Sequence, residues 1–64
     1  MEMLEALKKR YEAQIAEGIA TVNIYLKHPV GIGEHPQHLD EIDKQLDKIK
    51  EAEEKITLIE RWVK

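Results

Sequence analysis

The feature that most constrains this chain is the confinement of its helix-breaking residues to one short segment. Pro29, Gly31, Gly33 and Pro36 lie within eight residues, and the remaining glycine of the 64-residue chain is Gly18. Because proline interrupts a helix and glycine disfavours one, long helices are possible only on either side of this segment. The sequence therefore predicts two helices joined by one loop.

The first segment has the apolar spacing of an amphipathic helix over about residues 2–27. Its main apolar side chains recur at steps of three and four, which places them on one face: Leu4, Leu7, Tyr11, Ile15, Ile19, Val22 and Leu26. Ile24 and Tyr25 add apolar surface beside this stripe. The helix is predicted to end near Lys27, because the residue before Pro29 is pushed out of the α conformation.

The second segment predicts a helix over about residues 36–63, with Pro36 at its first position, where a missing N–H needs no partner. Its apolar positions follow the same spacing: Leu39, Ile42, Leu46, Ile49, Ala52, Ile56, Ile59 and Val63. A connection as short as residues 28–35 makes the two helices antiparallel neighbours. The predicted product is a helical hairpin.

We expect a single all-α domain, residues 1–64, in which the hairpin assembles as a homo-oligomeric helical bundle. A chain of about 60 residues buries only about 60% of its unfolded surface, and this one has no cysteine for a disulfide. The stretch 19–26 is apolar around most of its helix, which is more than one neighbouring helix can cover. The sequence thus favours a dimer that forms a four-helix bundle, or a higher oligomer, with Trp62 covering one end of the core beside Leu4 and Leu7.

The charge balance and the hydropathy exclude several classes of protein. Ten basic and thirteen acidic residues give a net charge of −3, which does not suit a general nucleic-acid binder. No apolar run approaches the roughly 20 residues of a membrane span, so we expect a cytoplasmic protein without membrane contact. Serine and cysteine are missing, and Thr21 and Thr57 have no base nearby in sequence. We therefore expect no enzymatic activity and no catalytic residues.

The segment between the helices and the start of the second helix hold all three histidines, His28, His35 and His38. Together with Glu34 they offer the side-chain types of a zinc site. Their spacing matches no metal-binding motif, so we expect neither a metal nor another cofactor. Histidines that cap helix ends or bond to the backbone are the simpler interpretation.

Two glycines in the same segment, Gly31 and Gly33, permit either a tight turn or a backbone cradle for an anion. Four acidic residues close by oppose an anion: Glu34, Asp40, Glu41 and Asp43. On physical grounds we therefore favour a turn over an anion site, with Val30 and Ile32 capping the end of the bundle. The alternative is an interaction site formed by His28, Gly31, Gly33, Glu34, His35 and His38.

The first helix contains one unexpected residue, Gly18, because a glycine inside a helix costs about 1 kcal/mol relative to alanine. Close approach of another helix or of a ligand would explain it, and helix packing is the commoner reason. Gln14, Thr21 and Tyr25 lie on the same side and complete a partly polar groove able to receive a planar ligand. Further residues able to hold a base and its phosphates flank this groove: Arg10, Tyr11 and Lys27.

The run PVGIGEHP at residues 29–36, followed by LDEID at residues 39–43, resembles small uncharacterised helical-hairpin proteins of tailed bacteriophages. In those proteins a similar short loop joins two amphipathic helices, and the resemblance covers most of this chain. The size and the hairpin form are similar, more loosely, to phage sponge proteins that counter CBASS and Thoeris defence by sequestering nucleotide signals.

These resemblances imply a phage-type, non-enzymatic homo-oligomer that binds a cyclic nucleotide or an ADP-ribose-type signal between protomers, in the cytoplasm of a host cell. The groove around Gly18 is the site that we expect for this ligand. The alternative expectation is a protein-interaction module that acts on a host or phage protein through residues 28–38.

Overall fold

The computed structural model describes residues 2–27 and 35–62, which form two long helices and, within those ranges, no strand. Helix α1 spans Glu2–Lys27 and helix α2 spans His35–Trp62. Side chains are described for residues 2–27 and 38–62. Over the described residues, the predicted all-α architecture with two helices is confirmed. Helix α2 begins one residue before the predicted start at Pro36, and its predicted last residue, Val63, lies outside the described residues.

The charges at the helix ends suit the helix dipoles. Glu2 and Glu5 lie in the first turn of α1, and Lys27 lies in its last turn. Arg61 lies in the last turn of α2. Negative charge near an N-terminus and positive charge near a C-terminus stabilise a helix, so these residues favour the observed bounds.

The two helices pack side by side in antiparallel directions. Near the start of α1, Lys8 Nζ lies 3.3 Å from the Glu60 carboxylate. Near the end of α1, the rings of Tyr25 and His38 have their centroids 5.4 Å apart. Early α1 therefore contacts late α2, and late α1 contacts early α2, as a hairpin requires.

The seam between the helices follows a seven-residue repeat in each helix, with steps that alternate between three and four residues as in a coiled coil. Every residue at these positions is buried or half-buried. In α1 the seam residues are Leu4, Lys8, Tyr11, Ile15, Gly18, Val22 and Tyr25. In α2 they are His38, Ile42, Gln45, Ile49, Ala52, Ile56 and Ile59.

Four large aliphatic residues that the sequence pattern assigned to the core face outward instead. The exposed fractions are 48% for Ile19, 63% for Leu26, 68% for Leu39 and 52% for Leu46. Each comes directly after a seam residue of another type: Gly18, Tyr25, His38 and Gln45 respectively. The prediction was wrong here because it chose the large aliphatic residue of each adjacent pair as the core residue. A seam in which steps of three and four residues alternate regularly contains the residue before it instead.

The hairpin has a thin core and a large surface. Among the described side chains, the buried hydrophobic ones are Ala52 and Ile59, with exposed fractions of 2% and 7%. The molecule is a rod of 49 × 14 × 13 Å with a radius of gyration of 14.9 Å, against about 11 Å for a compact chain of this length. Its accessible surface is 5275 Å², roughly 1,000 Å² more than the roughly 4,200 Å² of a compact 7.5 kDa monomer.

Trp62 lies at the predicted end of the hairpin but does not cover the core. It lines an apolar cleft together with Leu4 and Leu7, as its position at the end of α2 predicts. The side chain nevertheless remains 69% exposed. Position 62 flanks the seam rather than belonging to it, so the indole contacts the edge of the core.

Candidate functional site

Gly18, the centre of the predicted groove, is buried against α2. A Cβ atom added to it would lie 2.8 Å from Ile49 Cγ1 and 3.1 Å from Ile49 Cδ1, with Gln45 Oε1 at 3.7 Å. Since protein interiors are close-packed, an alanine at position 18 requires Ile49 to move. The packing interpretation of Gly18 is confirmed, and α2 of the same chain fills the space beside it.

Tyr25, at the far end of the predicted groove, also contacts α2. Its ring packs on His38 at a centroid distance of 5.4 Å and an interplanar angle of 56°. This tilted arrangement is in the range that aromatic pairs prefer. His38 is 9% exposed, so the pair belongs to the seam, and Tyr25 is half-buried there rather than lying on an outer side of α1.

Gln14 lines an open cleft of about 390 Å³ between the two helices. The cleft brings together two amides, two ammonium groups and two carboxylates: Gln14, Gln45, Lys48, Lys55, Glu17 and Glu51. Its volume lies at the lower end of the roughly 300–1,000 Å³ typical of small-molecule sites. The polar lining offers hydrogen-bond donors and acceptors to a ligand, with Ala52 also contributing to the wall.

Tyr11 is linked to the same cleft through Lys55. The Lys55 ammonium lies 5.3 Å from the centroid of the Tyr11 ring, a cation–π distance. Neither Lys48 nor Lys55 was expected as a site residue from the sequence. The signal that finds them is their seven-residue spacing on α2, which in an antiparallel register places both on the side of Gln14.

The remaining predicted ligand residues do not gather at this cleft. The Thr21 hydroxyl donates a hydrogen bond to the backbone oxygen of Glu17 at 2.9 Å. The donor of this hydroxyl is therefore already paired within α1 rather than directed at a ligand. Arg10 and Lys27 are exposed on α1, about 25 Å apart along the helix at about 1.5 Å per residue. A single small ligand therefore cannot contact both residues of one protomer.

The predicted loop site lies largely outside the described residues. His28, Gly31, Gly33 and Glu34 fall between the two described ranges, and His35 is the first residue of α2 with its side chain outside the description. Of these six residues, only His38 has a described side chain, and it is buried. Among the described residues, no group of three or more histidine, aspartate or glutamate side chains is arranged to hold a metal. The interaction site at residues 28–38 stays a prediction.

A second, apolar cleft of about 250 Å³ lies where α1 starts and α2 ends. Leu4, Leu7, Leu58 and Trp62 provide most of its lining. Leu58 and Trp62 are 48% and 69% exposed. The hairpin thus presents apolar surface at this end as well as around Ile19 and Leu46, so two separate surfaces have the character of contact sites.

No protein-family model, no curated protein and no solved structure matches this chain. Within the described residues, neither helix is long and apolar enough to cross a membrane.

Proposed function

We propose that the protein is a non-enzymatic binding protein whose working form is a homo-oligomeric helical bundle. The observation that supports this is the aliphatic surface that one hairpin leaves uncovered. Six large aliphatic residues outside the seam are between 48% and 68% exposed: Ile19, Ile24, Leu26, Leu39, Leu46 and Leu58. A second copy supplies helices that one chain lacks, as small domains with a marginal core require.

Sedimentation equilibrium of the untagged protein, over a wide range of concentration, tests this proposal. The expected mass is about 15 kDa, twice the 7.5 kDa of one chain, or a higher multiple. A mass of 7.5 kDa at every concentration, with a cooperative unfolding transition, would contradict it.

Capture of a small nucleotide-like ligand is a second candidate function, and the cleft beside Gln14 favours it. Lys48 and Lys55 supply two cations for phosphate groups, and the amide of Gln14 supplies hydrogen bonds for a base. The carboxylates of Glu17 and Glu51 suit the hydroxyl groups of a ribose. In this proposal the chain acts as the resembled phage sponges do, by withholding a signal from a host receptor.

Native mass spectrometry with a panel of cyclic dinucleotides, cyclic trinucleotides and cyclic ADP-ribose tests this second function. We expect a simple ligand stoichiometry that is lost in the double variant Lys48→Gln/Lys55→Gln. The matched control is Lys44→Gln/Lys50→Gln, which removes two charges outside the cleft, where these lysines pair with Glu41 and Glu54.

No added mass from any member of the panel would contradict ligand capture. Equal losses in the two double variants would also count against the cleft, because they would show a response to net charge alone.

A further inference from the structure

Four of the exposed aliphatic residues form one surface, which we call the aliphatic patch and define as Ile19, Leu26, Leu39 and Leu46; Met3, Ile24 and Leu58 are exposed outside it. Gln14, Lys48 and Lys55 line a common cleft, so they lie on one side of the hairpin. At about 100° per residue, Ile19 points about 140° away from Gln14, and Leu46 about 160° away from Lys48. Ile19 and Leu46 therefore lie on the opposite side, where the equivalent positions Leu26 and Leu39 join them.

The aliphatic patch occupies only half of its side of the rod. In α1 the same seven-residue row continues towards the start of the helix as Glu12 and Glu5. In α2 it continues towards the end of the helix as Glu53 and Glu60. All four glutamates are exposed, and together we call them the acidic half; Lys8 offsets part of its charge by pairing with Glu60.

The elongated hairpin exposes enough surface over its whole length for an interface with a second copy of the chain. The hairpin exposes roughly 1,000 Å² more than a compact monomer of its mass, from its 5275 Å² of accessible surface. A standard stable interface buries about 800 Å² on each partner. A partner hairpin with its own patch matches the aliphatic patch in chemistry, since a two-fold interface uses the same residues on both sides.

The acidic half decides how the two copies are oriented. Two hairpins aligned in the same direction would set eight glutamates against each other. Two fully overlapping, opposed hairpins would place each aliphatic patch against the glutamates of the partner. This is unfavourable because charged carboxylates would be buried against aliphatic side chains. Only opposed hairpins that overlap by their patch halves bury aliphatic surface on aliphatic surface while keeping the acidic halves apart.

We propose, building on the homo-oligomer of the proposed function, that the aliphatic patch docks on the same patch of a second copy in an opposed, half-overlapping dimer. The two-fold axis passes between Ile19 and Leu26 of each copy. The four helix segments around the axis form a short four-helix bundle, and the acidic halves extend from it in opposite directions.

The first test compares Ile19→Glu/Leu46→Glu with Leu58→Glu in sedimentation equilibrium. Ile19 and Leu58 have the same exposed fraction, 48%, but Leu58 lies outside the patch. The double variant should fall from about 15 kDa to the 7.5 kDa monomer, and Leu58→Glu should stay dimeric. A double variant that stays dimeric would overturn the patch while leaving the oligomer in place, whereas a monomeric wild-type protein would remove the oligomer itself.

The second test measures the orientation without altering the patch. The chain has no cysteine, so Lys9→Cys carries a single spin label on an exposed position of α1. Position 9 lies about 20 Å along α1 from the proposed axis, which predicts a label separation of about 40 Å between copies. Aligned hairpins or fully overlapping opposed hairpins place the labels within about 20 Å, and any separation below about 30 Å overturns the arrangement.

Discussion

At the scale of single residues, the packing of the hairpin depends on pairs of unequal size across the seam. Gly18 lies against Ile49, where an added methyl group would come within 2.8 Å of a side-chain carbon. Glycine weakens the isolated helix by about 1 kcal/mol relative to alanine. The close approach that glycine permits compensates this cost, because it brings Ile49 and Gln45 into contact with α1.

Gly18→Ala should therefore lower the free energy of unfolding despite its better helix propensity. We expect a net loss of about 1 kcal/mol, since overpacking typically costs about 1–3 kcal/mol and propensity returns about 1 kcal/mol. In an Ile49→Ala background the same substitution should instead stabilise the protein, because the obstructing side chain is gone. Chemical denaturation of the four proteins at one concentration measures both effects. A stabilising Gly18→Ala in the parent chain would show that the helices do not approach so closely.

At the scale of the helices, the sequence predicts where the helices meet the connecting segment, but it predicts only some of the residues that form the seam between them. The placement of proline and glycine predicts the end of α1 and the start of α2 to within a residue, because these residues act through local backbone conformation. The prediction of seam residues fails where two candidates are adjacent, as with Gly18 and Ile19. A step of three residues from Ile15 reaches Gly18 and a step of four reaches Ile19, so the spacing allows both. His38 and Gln45 were not predicted as seam residues, because a search for apolar spacing does not detect polar residues on a seam.

The sequence predicted residues that α1 contributes to the candidate site, but not those that α2 contributes. Gln14 and Tyr11 were expected from α1 alone, and both take part in the polar surroundings of Lys55. The α2 residues of the cleft, Lys48 and Lys55, depend on the register between the helices. That register is a property of tertiary packing, which sequence periodicity in a single helix does not contain.

The seam assignment in α2 predicts a contrast between two adjacent residues. Ile59 is 7% exposed and belongs to the seam, whereas Leu58 is 48% exposed. Ile59→Ala should cost about 2–4 kcal/mol in the free energy of unfolding, because it leaves a cavity in a thin core. Leu58→Ala should cost less than about 1 kcal/mol. Equal losses for the two variants, measured by denaturant unfolding, would contradict the register described above.

At the scale of the whole molecule, the hairpin combines a thin core with a large exposed surface. Among the described side chains, the buried hydrophobic ones are Ala52 and Ile59, which make a small core for a rod 49 Å long. The exposed ion pair of Lys8 with Glu60 adds little, because such pairs contribute about 0–1 kcal/mol. We propose that the aliphatic patch of a second copy adds to this stabilisation.

Thermal unfolding of the untagged protein over a wide range of concentration tests whether a second copy completes the core. If association completes the core, the unfolded chain is a separate monomer, and the Tm must rise as the protein concentration rises. We expect that rise for the wild-type chain and its disappearance in Ile19→Glu/Leu46→Glu. A cooperative transition at the same Tm throughout the range would show that one hairpin is stable alone and would contradict the account.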